Sequence, residues 1–350
     1  MSEKKTYKAA LIGCGGIFRW CRSIAYPALA DRVEIVAVCD IIPERAEKAA
    51  KEYGVEGAKV YTDYKELIAR DDIDVVHILT PHYLHAPMAI AALRAGKHVL
   101  TEKPMATTLA DARAMIAADA EPGTGRLGVI FQNRYNPATQ ALKAIIASGA
   151  PGRFLGARAN VCWHREAPYY TESGWRGALA TEGGGVLINQ AIHTLDLLSY
   201  IGGPIARVRG HISTDLLDGV IEVEDNCHAV FEYAGGQKGV IQLTNNYVVD
   251  APILLEAVFE KATYQLLGEK LYETTGGEMK LLERGEAPAL SEKAYWGASH
   301  GLQIADYYKA LRTGGKIAVD GRSAYPALNL VKAIQESSAK GCWVELDGEL

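Results

Sequence analysis

Cysteine is scarce: six in 350 residues, at positions 14, 21, 39, 162, 227 and 342, with no close pair among them. Scattered thiols exclude a disulfide framework and fit a reducing compartment, so a cytoplasmic location is expected. No apolar run is long enough to span a membrane, and the stretch behind the charged Met1-Ser2-Glu3-Lys4-Lys5 is too short for a signal-peptide core. A basic block is missing too; 37 Lys and Arg stand against 42 Asp and Glu, a net charge of −5. That balance argues against nucleic acid as a partner. Repeats and low-complexity segments are absent. What remains is an ordinary globular composition, 49% hydrophobic and 23% charged, long enough for two domains with a core each.

The chain is organised around Ala9-Ala10-Leu11-Ile12-Gly13-Cys14-Gly15-Gly16-Ile17, a short apolar run that ends in glycines and leads into a helical pattern. Glycine lets a backbone turn tightly or approach a ligand, and a helix N-terminus suits a pyrophosphate. Gly13 and Gly15 fit the G-x-G-x-x-G fingerprint, whereas the third glycine comes early, at Gly16. A second apolar strand, Glu34 to Cys39, ends at Asp40, the expected place for a carboxylate on an adenosine ribose. Asp40 would repel a 2′-phosphate, so NAD is expected rather than NADP; the plainer alternative is a strand-end turn residue.

Strands and helices then alternate. Pro43 to Tyr53 reads as a helix stopped by Gly54 at C′, and Asp63 with Glu66 reads as a capping box. Asp74 to Leu79, His98 to Thr101 and Arg126 to Phe131 read as strands, with a helix over Ala86 to Ala95. The pattern predicts a doubly wound parallel sheet, whose ligands sit beyond the carboxyl ends of its strands. Thr80-Pro81-His82-Tyr83-Leu84-His85 and Glu102-Lys103-Pro104 fall at those ends.

In order and spacing, these motifs resemble the Gfo/Idh/MocA oxidoreductases, relatives of glucose–fructose oxidoreductase and inositol dehydrogenase. The resemblance implies a Rossmann domain whose cofactor contacts come from Gly13, Gly15, Gly16, Ile17, Asp40, Thr80, Pro81, His85 and Glu102. It also implies a lysine between nicotinamide and substrate, which Lys103 matches. Dehydrogenating a carbinol gives an independent reason for a lysine, because a proton must leave oxygen as hydride leaves carbon. Burial and a neighbouring nicotinamide cation both favour the neutral amine. His85 is expected to line the cofactor crevice or to cap the helix starting near Pro87. The His82-x-x-His85 pair lacks a third ligand of convincing spacing, so no metal is expected.

A dinucleotide-binding domain is expected over residues 1–132 and a substrate-binding, oligomerising α+β domain over 133–350. Asn133-Arg134-Tyr135 resembles the family's crossing point, where Asn133 would reach the cofactor; alternatively, Arg134 only ties the linker to a carboxylate. Asn136 and Pro137 read as N-cap and N1 of a helix ending at Gly149. Strand-like runs follow at Arg153 to Trp163, Ile205 to Thr214, Cys227 to Tyr233, Lys238 to Tyr247 and Ile253 to Glu260, with Gly235-Gly236 as a hairpin signal. They predict a large open, mostly antiparallel sheet, and a homodimer or homotetramer joined through it.

A helix over Val186 to Leu198 would put Asn189, His193 and Asp196 on one face. This stretch resembles the family's second signature, a glycine cluster before Asp-x-x-x-His, with Asn189 in place of the aspartate. An amide cannot stabilise an imidazolium as a carboxylate does, so His193 is expected to be the weaker base and Lys103 to carry more of the proton transfer. Asn189 would orient a substrate hydroxyl. His164, Arg165 and Tyr169 suit a sugar, aromatic faces stacking on the ring and polar tips bonding to hydroxyls. The resemblance places Trp175 and Arg176 against the cofactor. His300 is expected either to reach the substrate or to cap a helix.

Together these readings predict hydride transfer between a nicotinamide cofactor and a secondary hydroxyl of a sugar or cyclitol, in a cleft lined by Lys103, Asn189 and His193. Two alternatives stay open: NAD-assisted elimination or glycoside cleavage without net redox, and a non-catalytic dinucleotide sensor.

Overall fold

The structure, a computed structural model, describes residues 6–18, 29, 32–54, 56–285 and 299–348. The chain forms two compact units, one of residues 1–130 and 300–325, the other of 131–299 and 326–350. The first boundary lies two residues from the expected one. The expectation of a contiguous second domain gives way, because 300–325 return to the first unit. The reason is hydrophobic: Ile304, Tyr307 and Tyr308 share a buried cluster with Tyr7, Val75 and Leu100.

The first unit is built on strands β1 (Tyr7–Ile12), β2 (Val33–Cys39), β3 (Lys59–Tyr61), β4 (Val75–Ile78), β5 (His98–Thr101) and β6 (Leu127–Val129). They pair in parallel in the order β3-β2-β1-β4-β5-β6, the doubly wound arrangement expected. Strands β1 and β4 are buried almost throughout, which explains continuous apolar runs in place of alternation. Helix α1 (Pro43–Tyr53) has the expected bounds, but Gly54 is extended at φ −70 rather than left-handed. A Cβ on it would lie 2.6 Å from the Ala50 carbonyl oxygen, so close approach selects this glycine. In α2 (Tyr64–Ile68) Asp63 accepts from the Lys65 N–H at 2.9 Å. Helix α3 runs His82–Arg94, not from Ala86; Pro81 precedes its first turn and Pro87 lies inside it. Helix α4 is Leu109–Ala120. The returning segment adds α9 (His300–Thr313), whose Tyr307 hydroxyl donates to the Val99 carbonyl at 2.9 Å.

In the second unit, a 3₁₀ turn (Gln132–Tyr135) leads into α5 (Pro137–Ala147), and Asn136 makes no side-chain cap bond, contrary to expectation. A nine-stranded sheet follows, ordered β14-β13-β12-β11-β7-β10-β9-β8-β15. Its strands are β7 (Phe154–Cys162), β8 (Ile205–Ser213), β9 (Asn226–Tyr233), β10 (Lys238–Thr244), β11 (Leu254–Phe259), β12 (Thr263–Leu267), β13 (Lys270–Thr275), β14 (Glu278–Glu283) and β15 (Val344–Glu345). Among the described residues only β7 and β10 pair in parallel. The alternation read in β9 is real: Cys227, Ala229, Phe231 and Tyr233 are buried while His228 and Val230 face outward. The meander β12–β14 extends the sheet beyond the five predicted strands. Short helices α6 (Ala167–Thr171) and α7 (Leu179–Glu182) precede α8 (Ile192–Gly202); the last helix, α10, is Gly321–Lys340.

Candidate functional site

In the first unit the glycine turn is tied to both neighbouring strands. Gly13 N–H donates to the Cys39 carbonyl and Leu79 N–H to the Ile12 carbonyl, each at 2.8 Å. Gly13 has φ +96, and a Cβ there would sit 2.6 Å from the Leu79 carbonyl oxygen, so only glycine fits. Around Gly15 and Gly16 a Cβ would meet nothing within 4 Å. The protein itself does not require these two glycines, and the bare backbone opens a cradle of the kind a pyrophosphate needs. Ile17 packs partly against the cluster of Leu11, Phe18 and Val38. A cavity of about 180 Å³ beside the turn is lined by Cys14, Gly15, Gly16, Arg45 and Lys48.

Asp40 closes the turn: its Oδ2 accepts from Cys14 N–H at 2.8 Å and its Oδ1 from Ile42 N–H at 2.9 Å. It therefore does the turn-residue work named as the plainer alternative, and its oxygens have further lone pairs for a ribose. Next to it, Ile41 is 86% exposed. The sequence reading did not single out this residue.

His85 corrects the sequence reading. It lies inside α3 and caps nothing, because α3 already starts at His82. Only 1% exposed, its Nδ1 meets the Pro104 carbonyl at 2.7 Å and its Nε2 the Thr80 carbonyl at 2.8 Å. It thereby pins the Thr80-Pro81 turn to the Glu102-Lys103-Pro104 loop, whose Lys103–Pro104 peptide is cis. Burial pushes its imidazole pKa down, the two carbonyls pull it up and Lys103 adds to the fall. His82 and His85 rings lie 5.9 Å apart, and no cluster of three metal-ligating side chains occurs among the described residues. Lys103 is half-buried at the end of β5. Beside it, burial raises the Glu102 carboxyl, while the charge and N–H of Lys103 lower it. His300 stands 3% exposed at the start of α9, its Nε2 3.7 Å from Glu102 Oε1. The structure thus places His300 behind the Lys103 loop, among first-unit residues, and gives it a buried carboxyl as neighbour.

The second unit corrects the helix over Val186 to Leu198. Residues 186–191 form turns and α8 begins at Ile192, so Asn189 is not one helical turn from His193. The irregularity shows at Ala191, whose N–H reaches back five residues to the Val186 carbonyl at 2.9 Å, while a Cβ on Gly185 would lie 1.9 Å from the Glu224 carbonyl oxygen and Glu224 Oε1 accepts from the N–H groups of Gly185 and Leu187. His193 is half-buried with its Nε2 3.4 Å from the Gln132 amide and its ring edge-on to Phe131. Asp196 belongs to Arg134, which donates to its two oxygens at 2.7 and 2.6 Å, so Arg134 is the tie suggested above. Burial pushes the Asp196 carboxyl up and Arg134 pulls it back. Asn133 is buried beside a small cavity with Asn136 and Thr194.

Asn189 donates through Nδ2 to Glu182 Oε1 at 2.5 Å and lies 3.4 Å from the Tyr169 hydroxyl. Gln190 also donates to that hydroxyl, at 3.2 Å. Arg176 lies over the rings of Tyr169 and Trp175, at 4.6 and 4.7 Å from their centroids. Arg165 is 9% exposed and paired with Asp250 at 2.7 Å; His164 Nδ1 lies 2.7 Å from the Tyr247 carbonyl. The structure thus gathers Tyr169, Arg176 and Asn189 into one cluster and adds Glu182, while Arg165 and His164 hold the loop around it. Glu182 carried no sequence signal beyond its place before three glycines. Cysteines 14, 39, 162, 227 and 342 are free, and Cys21 lies outside the described residues. No helix among the described residues is long and apolar enough to cross a membrane.

Residues 7–129 match the family model described as "Oxidoreductase family, NAD-binding Rossmann fold", and residues 139–265 match the "GFO/IDH/MocA C-terminal domain". The chain is 29% identical to levoglucosan dehydrogenase of Pseudarthrobacter phenanthrenivorans, over 96% of this chain and 97% of that one. Inositol 2-dehydrogenase of Salmonella typhimurium is 41% identical over 43% of this chain and 44% of its own length. Among solved structures, the WlbA dehydrogenase from Bordetella pertussis, in complex with NADH and UDP-GlcNAcA, superposes with a TM-score of 0.85. It is 30% identical, over 99% of this chain and all of that one.

Proposed function

Because this chain belongs to the Gfo/Idh/MocA oxidoreductase family, we propose that it is an NAD-dependent dehydrogenase acting on a secondary hydroxyl of a sugar, sugar derivative or cyclitol. The observation that carries the cofactor half is the glycine turn, with its left-handed Gly13, open space at Gly15 and Gly16, and Asp40 beside them. The sugar half rests on relatives named for sugar and cyclitol oxidation and on the aromatic and hydrogen-bonding cluster around Tyr169.

NAD, when bound, supplies the hydride acceptor. The N–H groups of Gly15 and Gly16 would hold its pyrophosphate, Gly13 and Cys14 having given theirs to Cys39 and Asp40, and Asp40 would hold its ribose. Thr80, Pro81, His85 and Glu102 shape the loops that carry Lys103. Lys103 takes the proton from the reacting oxygen during oxidation and returns it during reduction, with His193 as the second titrating group. Asn189 and Tyr169 hold other substrate hydroxyls, and Arg176 with Trp175 supports the nicotinamide end.

Purified protein with NAD and a panel of sugars, sugar acids and cyclitols, followed by nicotinamide absorbance, tests this reading. Turnover on a group of related polyols supports it; silence across the panel despite tight NADH binding would favour a sensor. Asp40→Ala is expected to bring NADPH turnover closer to that with NADH, and an unchanged ratio would leave Asp40 to the turn alone.

The outer face of the second sheet is the proposed contact between copies of the chain. Val230 and Val240, cross-strand partners on β9 and β10, are both exposed there, with Leu155 on β7. Val240→Glu should lower the oligomeric state measured by sedimentation. Unchanged sedimentation would place the contact elsewhere.

A further inference from the structure

Glu182 ends α7 with 0% exposure, and a buried carboxyl is costly unless its oxygens are bonded. Oε2 accepts from the Gly177 N–H at 2.6 Å and Oε1 from the Asn189 amide at 2.5 Å. The second bond orients Asn189. An amide carries its oxygen and its NH₂ on opposite sides of one carbon, so an NH₂ turned to Glu182 turns the oxygen the other way. The amides around it are engaged in the same sense. Gln190 donates to the Tyr169 hydroxyl, and Asn245 donates to Gln190 Oε1 at 3.1 Å and to the Tyr170 hydroxyl at 2.8 Å.

We propose, resting on the dehydrogenase reading, that Glu182 is a positioning residue that sets the polarity Asn189 shows to the substrate. Ionised, Glu182 accepts from the Asn189 NH₂, and the Asn189 oxygen is offered to a substrate hydroxyl as an acceptor. Protonated, Glu182 keeps the Gly177 N–H on one oxygen and donates its own proton to Asn189 Oδ1. The amide turns over and offers NH₂ where the hydroxyl needs an acceptor. Binding of a hydroxyl donor is then lost while the hydride and proton path is untouched.

The groups around Glu182 put this exchange in the neutral range. Burial pushes its carboxyl up to about 7, against the pull of the Gly177 N–H, Asn189 and Arg176, with Glu224 adding to the rise. The phenol of Tyr170, itself raised by burial and by Glu182, stays protonated throughout. Lys332 offsets part of the Glu224 charge. The carboxylate absent from position 189 is thereby present one hydrogen bond further in.

Two measurements test the assignment. In NADH-bound protein carrying isotope-labelled asparagine, the Asn189 side-chain amide signal, identified by its loss in Asn189→Ala, should shift between about pH 8 and about pH 6. Glu182→Gln should abolish the shift, because its NH₂ must face Asn189 once the Gly177 N–H claims its oxygen. With a sugar that turns over, wild-type KM should rise about tenfold across the same interval more steeply than kcat falls, and Glu182→Gln should keep the high KM at both ends. A wild-type amide signal that does not move overturns the proposal whether or not the variant folds. So does a Glu182→Gln enzyme with wild-type KM. If the signal titrates but no sugar turns over, the dehydrogenase reading fails while the Glu182–Asn189 exchange stands.

Discussion

Lys103→Ala should lower kcat/KM by about 10²- to 10⁴-fold, the range lost with a general acid–base, while NADH affinity stays within about tenfold. The separation is expected because the dinucleotide is held by the backbone of the Gly13–Gly16 turn and by Asp40, neither of which depends on Lys103. Lys103→Arg should not restore oxidation, since a guanidinium does not give up its proton at working pH and cannot receive one from a carbinol. Reduction should suffer less, because polarising a carbonyl needs only positive charge. Turnover of the alanine variant within tenfold of wild type would assign the proton to another group, with His193 first in line. Steady-state rates in both directions, beside NADH fluorescence titration, make the check.

Arg134→Ala should destabilise the second unit by about 3–5 kcal/mol, the cost of leaving one partner of a buried ion pair alone. Both guanidinium bonds to Asp196 are short, at 2.7 and 2.6 Å, and Arg134 also lies 5.0 Å from the centre of the Tyr200 ring. The deficit should depend on pH in a defined direction. Burial already raises the folded Asp196 carboxyl with Arg134 in place, and removing the cation that pulls it back raises it further, so the variant's folded state binds the proton more tightly than the wild type's. The deficit is then smallest where Asp196 is protonated in both proteins, grows as pH rises through the wild-type folded value, and is complete above the higher folded value of the variant. Replacing both residues by apolar ones should recover most of the loss. Urea unfolding at several pH values decides it: a pH-independent deficit would mean that packing on Tyr200, not charge, is what Arg134 supplies.

Local signals proved good where one kind of interaction decides the structure. Pro43 and the apolar faces of α1 set that helix to its observed ends, and strict alternation in β9 was visible because one face of the sheet is buried and the other is not. The glycine turn was legible because a left-handed residue pressed against a backbone carbonyl admits no side chain. Errors arose where contacts distant in sequence overrule propensity. Val186 to Leu198 has the composition of a helix, yet its first half is fastened to Glu224 and closes with a five-residue Ala191-to-Val186 bond in place of a regular helical one. Of the two readings of His85, the cap fails, because nothing local reveals that α3 starts at His82 or that Pro104 and Thr80 supply carbonyls to both of its nitrogens.

By itself, then, the sequence determined the parallel glycine-bearing sheet and the change to an antiparallel sheet near residue 153, and it supplied the side chains, Asp40, Lys103, Asn189 and His193, on which the proposed chemistry rests. These depend on periodicity, on backbone geometry that only glycine allows, and on side-chain types, all of which are properties of neighbours along the chain. Tertiary structure alone decided that Arg134 takes Asp196, that His300 lies beside Glu102, that 300–325 complete the first unit, and that Glu182 stands behind Asn189. Each is a pairing forced by burial: a charged or polar group removed from water must find its partner in space, and sequence distance places no limit on where that partner lies.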